Sequence, residues 1–265
     1  MKNRWAYLAS CMLSMLCMGI LYAWSILKIP FAETFSWTAG QLGLNFTLTI
    51  SLFAVGGFFG GQMLRRTSER ILLIASAGLV LTGFWGCSFL SGKSIAALYL
   101  FYGCFAGFGI GVAYNVIVTA ALSWFEDIRG TCSGLLMMCF GASTLLLGTC
   151  ATSLFDSIGW RNTFRTIGMG ITVVLLMQSI VLKQRERAQH DGKTGKTDIY
   201  RKPSFWAFCL YVIALAAGAS MVISFSRDIS LEIGVDEALA TVLVGALAVC
   251  NGLGRLICGV LSDRV

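Results

Sequence analysis

GLNFTLTISLFAVGGFFGGQM at residues 43–63 and ILLIASAGLVLTGFWGCSFL at residues 71–90 are two apolar runs, separated by the basic stretch LRRTSER at residues 64–70. Each run is long enough to cross the hydrocarbon core of a bilayer as a helix, which takes about 20 residues. The apolar residues are continuous and do not alternate with polar ones, which favours helices over the strands of a β-barrel. This stretch therefore predicts two transmembrane helices joined by a short basic loop.

The same pattern repeats along the whole chain. Of its 265 residues, 57% are hydrophobic and 12% are charged, with a mean hydropathy of +0.78, and this is about half the charge of an ordinary soluble domain. The N-terminal run is too long for a signal peptide and has no clean cleavage site, so it counts as the first span. We therefore predict an all-α polytopic membrane protein of about eight transmembrane helices, at residues 5–27, 39–63, 71–91, 94–123, 131–155, 162–182, 204–226 and 238–261.

Metal, disulfide and hydrolase chemistry find little support in the sequence. Nearly all of the ten cysteines lie inside apolar spans and no Cys-x-x-Cys pair occurs, so the cysteines are predicted to be packing residues. The single histidine, His190, lies in a polar loop without ligands at metal-binding spacing. An intramembrane protease would need a base beside Ser143 or two buried carboxylates, and the spans offer neither. We therefore predict no enzyme, no metal and no cofactor.

Lysine and arginine are unevenly distributed between the two sides of the predicted bundle. If the N-terminus is cytoplasmic, fourteen of them lie in inner segments and five in outer segments, and the latter are Lys28, Lys93, Arg161, Arg165 and Arg227. The positive-inside rule then predicts that both termini face the cytoplasm, and the expected location of this multi-pass protein is the cell (plasma) membrane. The net charge of +7 needs no nucleic-acid partner, because the basic residues flank the membrane and do not gather on one soluble face.

Two landmarks repeat along the chain in similar register. WAY at residues 5–7 opens the first span and WAF at 206–208 opens the seventh, while GQMLRR at 61–66 ends the second span and GVLSDR at 259–264 ends the eighth. Such repeats are typical of transporters built from two halves. The alternative is a chance similarity between apolar segments.

The repeat predicts a division of the chain into three parts. These are an N-terminal six-helix half (1–182), a basic cytoplasmic linker (183–203) and the first two helices of a second half (204–265). A six-plus-six plan would need about four more helices, so the chain is expected to be truncated after the eighth span. The expected partners are the lipid bilayer and either the missing C-terminal helices or another chain.

One charged residue stands deep inside a predicted span. Arg255 lies eight residues before Asp263, which is about 12 Å from the end of the helix. An arginine at that depth costs at least about 2.5 kcal/mol unless it faces a cavity or a partner. All thirteen acidic residues lie in loops or at span ends, so the predicted partner is a small carboxylate anion, which a guanidinium can bind through two parallel hydrogen bonds. The alternatives are that Arg255 caps backbone carbonyls, holds a helix interface or snorkels.

Polar-edged and small residues inside the spans complete the candidate cavity. Tyr22, Trp24, Tyr114 and Asn115 could form its walls and donate hydrogen bonds to an anion, although Tyr22 and Trp24 could equally belong to an interfacial aromatic belt. Glycines cluster at 56–61, 103–111 and 252–254, where they predict close helix packing. A dinucleotide-binding loop is excluded, because it needs a preceding strand.

Five motifs stand in order along the chain: Gly19-x-x-Tyr22-Ala23-Trp24-Ser25, Gly107-x-Gly109-x-Gly111-x-x-Tyr114, Trp124-Phe125-x-x-x-Arg129-Gly130-x-x-x-Gly134, Gly159-Trp160-Arg161 and Asn251-Gly252-x-Gly254-Arg255. Together they resemble the oxalate/formate antiporter group of the major facilitator superfamily. The resemblance covers the whole chain and implies alternating access between two six-helix halves that exchange small carboxylates. It implies that Arg255 is the anion-binding arginine and that Tyr22 belongs to the pocket. Related proton-coupled monocarboxylate carriers have an acid where this chain has Asn251, which favours exchange or facilitated passage over proton symport.

The chain also departs from the family pattern. The loop after the second span lacks the usual acidic residue, which the eighth span keeps as Asp263, and the predicted gating residues are Asp263, Arg264, Arg65 and Arg66. The second basic ligand of the family belongs to an eleventh helix that the chain does not contain. The main hypothesis is thus a carboxylate transporter present as a fragment of low stability, and the alternative is a non-transporting fragment or a membrane scaffold or sensor.

Overall fold

The chain forms a bundle of long helices in a computed structural model that describes residues 4–91, 94–182 and 202–264. Within these ranges, seven helices are long and apolar enough to cross a membrane, and no residue is assigned to a strand. Most of the predicted linker, residues 183–201, lies outside the described residues. The helices are α1 (Arg4–Phe35), α2 (Ala39–Met63), α3 (Glu69–Ser88), α4 (Ala96–Trp124), a continuous helix Arg129–Val181, α7 (Pro203–Glu232) and α8 (Glu237–Ser262).

The helix Arg129–Val181 is two membrane spans. Its 53 residues would be about 80 Å long as one rod, far beyond the roughly 30 Å of the hydrocarbon core. Gly159 breaks it, with φ 75° and ψ 156°, a backbone conformation that glycine alone adopts without strain. We therefore divide it into α5 (129–158) and α6 (160–181). The prediction of an all-α polytopic fold with about eight spans is confirmed.

The ends of the bundle are named by their loops. The inner end carries Arg4, the 64–68 loop and Asp263, and the outer end carries the 36–38 and 233–236 loops. The assignment of the inner end to the cytoplasm and the division into a complete and an incomplete half remain predictions.

Two helices are longer or less regular than the sequence predicts. The sequence predicts that the first span ends at residue 27, but α1 continues to Phe35. Pro30 is compatible with this continuation, since it stands in the first turn of the last segment, where no N–H is needed. Within α1, residues Gly19–Ala23 tighten into a 3-10 helix. Within α4, residues Tyr99–Ala106 widen into a π-helix, in which Gly103 faces Asn45 of α2.

Glycines bring the helices into backbone contact, as their clusters predict. A Cβ atom added at Gly56 of α2 would lie 2.3 Å from the carbonyl oxygen of Phe108 in α4. At Gly259 of α8, the added atom would lie 2.2 Å from the carbonyl oxygen of Gly130 in α5. Gly254 is an exception, since no atom lies within 4 Å of its added Cβ. Small residues thus set the spacing of the α2–α4 and α5–α8 pairs.

The two C-terminal helices differ in how they are covered. α8 packs along α5, whereas none of the described side chains at positions 203–223 of α7 is buried. Large apolar side chains such as Phe208 and Leu210 are more than 60% exposed. This exposure suits a helix surrounded by lipid tails, which are as apolar as these side chains.

Substitution of Gly19 by valine tests the backbone contact between α1 and α5. The added Cβ would lie 1.9 Å from the carbonyl oxygen of Phe140, so the two helices must separate. We expect Gly19→Val to destabilise the protein by about 1–3 kcal/mol, as overpacking does. The measurement is thermal unfolding in detergent.

The matched control is Gly78→Ala on the exposed side of α3, where an added Cβ meets no atom within 4 Å. This variant should unfold at the wild-type temperature or slightly above it. Equal unfolding temperatures for the valine variant and the wild type would contradict the contact.

Candidate functional site

A narrow cleft with a cavity volume of about 20 Å³ lies between α1 and α5 on one side and α7 and α8 on the other. Four helices contribute to its lining, which consists of Tyr22, Gly141, Thr144, Ile223, Ser226, Val244, Leu247 and Asn251. Apolar side chains alternate with hydroxyl and amide groups along its walls. The lining therefore offers both apolar and hydrogen-bonding groups to a small ligand, although the cleft in this closed arrangement has room for only about one water molecule.

The α8 wall of the cleft follows helical spacing. Val244, Leu247 and Asn251 recur every three or four residues and so lie on one face of the helix. Arg255 is one turn further along that face, towards the inner end. The sequence prediction brings Arg255 and Asn251 together correctly, because both depend only on the regular geometry of α8.

Arg255 meets Tyr22 across the cleft. Its Nη2 atom lies 3.5 Å from the hydroxyl oxygen of Tyr22, and its Cζ atom lies 5.8 Å from the centre of the tyrosine ring. Within the described ranges, no carboxylate forms an ion pair with Arg255. The hydrogen bond is long, so the guanidinium keeps most of its capacity to bind an anion.

An aromatic wall supports Tyr22. The ring of Phe140 in α5 lies 5.2 Å from that of Tyr22 and 5.4 Å from that of Tyr114, both in edge-to-face geometry. Tyr114 also packs 5.2 Å from Phe53. Tyr114 thus belongs to the aromatic cluster behind Tyr22 and is not among the residues that line the cleft, and its role in binding stays a prediction.

Trp24 and Asn115 are not brought to the cleft. Trp24 is fully buried against α2 and α4, where its indole N–H donates to the carbonyl oxygen of Leu42 at 2.9 Å and its ring packs 4.7 Å from Tyr102. Asn115 accepts a hydrogen bond from Thr119 at 3.4 Å and lines a different groove. For Trp24, the reason is that residues two apart project about 200° from each other around a helix, so Trp24 points away from the cleft that Tyr22 lines.

Sequence reasoning missed Thr144, Ser226 and Phe140. Thr144 and Ser226 are polar residues inside apolar spans, and that signal was available. Phe140 carries no such signal, because an apolar residue in an apolar span is unremarkable until its neighbours are known.

The outer end of the cleft is closed by contacts between α1 and α7. Lys28 forms an ion pair with Asp228, and its ammonium group lies 4.8 Å from the ring centre of Phe225. Phe225 itself packs against Gly43 of α2. The sequence had placed Lys28 and Asp228 simply at span ends, and gave no reason to pair them.

The inner end is closed by contacts between α5 and α8. The carboxylate of Asp263 accepts hydrogen bonds from the amides of Gly130 at 2.6 Å and Thr131 at 2.5 Å, at the start of α5. A carboxylate is favoured there by the free N–H groups and the dipole of the helix. The hydroxyl and amide of Thr131 and the amide of Gly130 lower the pKa of Asp263. The position of Asp263 agrees with a gating role, which stays a prediction.

The predicted gating arginines are less engaged. Arg65 lines a groove of about 340 Å³ at the inner end of α2 and α4, together with Gln62, Asn115 and Thr119. Among the described residues, Arg65, Arg66 and Arg264 form no ion pair with a carboxylate. Their gating role remains a prediction.

Comparison with known proteins places these features in a family. The sequence matches the Major Facilitator Superfamily over residues 7–265. It is 26% identical to the oxalate:formate antiporter of Oxalobacter formigenes, in an alignment that covers 99% of this chain and 64% of the antiporter. It is 25% identical to monocarboxylate transporter 12 of Homo sapiens, over 72% of this chain and 43% of that carrier. The chain therefore spans less than two thirds of the length of either relative.

The fold has solved counterparts. A crystal structure of a D-xylose-proton symporter superposes with a TM-score of 0.65 at 14% sequence identity, over 97% of this chain and 70% of the symporter. Identity at this level bears on the fold alone.

Replacing Asp263 with asparagine tests the inner closure. The amide side chain loses the negative charge that the α5 N-terminus attracts, so we expect the inner end to open more often, by about two- to fivefold. The buried thiol of Cys132, one turn inside α5, is a native reporter. Its labelling by a maleimide at pH 7, measured by mass spectrometry, should rise by that factor.

The control is Glu126→Gln, which removes an exposed carboxylate that pairs with Arg129 at the same end. It should leave the labelling of Cys132 unchanged. Because the pKa of Asp263 is lowered, the contact of the wild type is complete above the ordinary value of 3.8 and is lost only as the pH falls through the lowered pKa. Equal labelling of the Asp263 variant and the wild type would refute the closure.

Proposed function

The chain belongs to the Major Facilitator Superfamily, and from that premise we propose that it forms the substrate path of a transporter that carries small carboxylate anions by alternating access. The observation that carries the proposal is the guanidinium of Arg255. It lies at the inner end of the cleft, inside a transmembrane helix, and no carboxylate within the described ranges pairs with it.

The energetics of Arg255 favour an anionic substrate. A cation at this depth is costly without a counter-charge, by at least about 2.5 kcal/mol. A carboxylate can pair with two N–H groups of the guanidinium at once, which an ammonium group cannot do in the same plane. Tyr22 and Asn251 both line the cleft and can donate to a remaining carboxylate oxygen.

The composition of the cleft lining favours a short substrate. Ile223, Val244 and Leu247 supply an apolar surface, and Thr144 supplies a hydroxyl group on the opposite wall. Such a lining suits a monocarboxylate with a short chain or a dicarboxylate of a few carbon atoms. The relatives point to the same class, because one is an oxalate:formate antiporter and another a monocarboxylate transporter.

The lining also favours exchange of one anion for another. Among the described residues that line the cleft, none is a carboxylic acid or a histidine. The position one turn before Arg255 is occupied by Asn251, which does not titrate. A proton-coupled cycle would need a titrating group near the substrate, so we propose antiport as the mode.

The membrane and orientation complete the proposal. We propose a multi-pass protein of the plasma membrane, with the inner end of the bundle in the cytoplasm. The excess of lysine and arginine at the inner end supports this orientation.

Equilibrium binding of radiolabelled oxalate, formate and lactate to the protein in nanodiscs tests the role of Arg255. We expect Arg255→Gln to abolish saturable binding. Arg255→Lys should weaken it by about 10- to 100-fold, because a hydrogen bond to a charged group contributes about 1.5–3 kcal/mol. Exchange of the same anions across proteoliposomes gives the transport readout.

The control is Arg70→Gln, which removes an exposed basic residue at the start of α3 and should bind like the wild type. Undiminished binding by the Arg255→Gln variant would refute the role of Arg255. Failure of the wild type to bind any of the three anions would refute the carboxylate class.

A further inference from the structure

Lys28 is the second cation on the path through the protein. It lies six residues after Tyr22 on α1, towards the outer end, and its side chain is only 7% exposed. Asp228, its partner, lies two residues after the cleft residue Ser226 on α7. The ion pair therefore stands directly outside the cleft and joins a helix from each side of it.

The two members of this pair are unequally buried. The side chain of Asp228 is 38% exposed, whereas that of Lys28 is almost completely covered and lies over the ring of Phe225. When α7 moves away from α1, Asp228 can be hydrated at little cost. Lys28 then keeps an ammonium group with no counter-charge beside the open mouth of the cleft, and an unpaired charge in such surroundings is costly.

We propose that Lys28 is an outer anion-binding residue, on which a substrate carboxylate replaces the carboxylate of Asp228 when the outer end opens. This inference rests on the proposed function and adds to it a second binding position and a competition. The two carboxylates are chemically alike, so each can satisfy the ammonium group in turn. The substrate then moves inwards from Lys28 to Arg255 as Asp228 returns and closes the outer end.

The competition predicts that replacing Asp228 tightens substrate binding, which a purely structural ion pair would not do. Replacing Asp228 with asparagine removes the internal competitor and leaves Lys28 free for the substrate. If the pair were only structural, the same change would leave a buried cation unpaired, and binding would weaken or stay the same.

The experiment is a double-mutant cycle of oxalate affinity in nanodiscs. We expect Asp228→Asn to tighten binding on the order of fivefold, the strength of a partly exposed ion pair. Lys28→Gln should weaken binding, and adding Asp228→Asn to it should produce no gain. Lys28→Arg keeps the positive charge, so adding Asp228→Asn to it should still tighten binding.

Two controls make the result specific. Glu237→Gln removes a carboxylate that pairs with Arg227 at the same end of the bundle, at 3.6 Å, and should leave the affinity unchanged. Monodispersity of each variant on size-exclusion chromatography shows that it is folded.

The outcomes separate this inference from the proposed function. Weaker or unchanged binding by Asp228→Asn, or a gain that persists in the Lys28→Gln background, would overturn the role of Lys28. If anion binding depends on Arg255 but the Asp228→Asn variant shows no gain in affinity, only the outer site fails. If the wild type binds no carboxylate, the proposed function fails with it.

Discussion

The position of α8 against α5 depends on a backbone contact between two glycines, Gly130 of α5 and Gly259 of α8. Gly130 and Gly259 allow this approach, and Asp263 then reaches the free amides at the start of α5. Because a helix is a rigid rod, fixing its inner end also fixes which face points into the cleft. Arg255 therefore reaches Tyr22 as a result of a contact that itself involves no functional group.

Two cations of the described helices, Lys28 and Arg255, are satisfied in different ways. Lys28 has a carboxylate supplied by another helix of the same chain, and Arg255 has an aromatic hydroxyl group at a long distance. A cation already satisfied stabilises a closed arrangement, whereas an unsatisfied one is available to a ligand. A paired cation thus closes the outer end, and an unpaired cation gives the cleft its capacity to bind an anion.

The sequence predicts the features that depend on composition and regular helix geometry. Runs of apolar residues identify the spans, and the depth of Arg255 and its spacing from Asn251 identify one wall of the cleft. What the sequence does not predict depends on departures from regular geometry or on contacts between distant helices. Regular helix geometry does not predict the 3-10 segment at Gly19–Ala23, and Lys28 meets Asp228 although 200 positions separate them.

The π-helical segment Tyr99–Ala106 allows α4 to lose one residue without disturbing the helix beyond it. A π-helix closes each hydrogen-bonded ring over one more residue than an α-helix, so this segment holds surplus chain without moving the turns beyond it. Loss of one residue here could be absorbed by a return to α-helical geometry, while Gly107 and Gly111 would still face Thr49 and Phe53. Elsewhere in α4, the same deletion would rotate every later residue by about 100° away from its partner. We therefore expect insertions and deletions among homologues to concentrate in that segment.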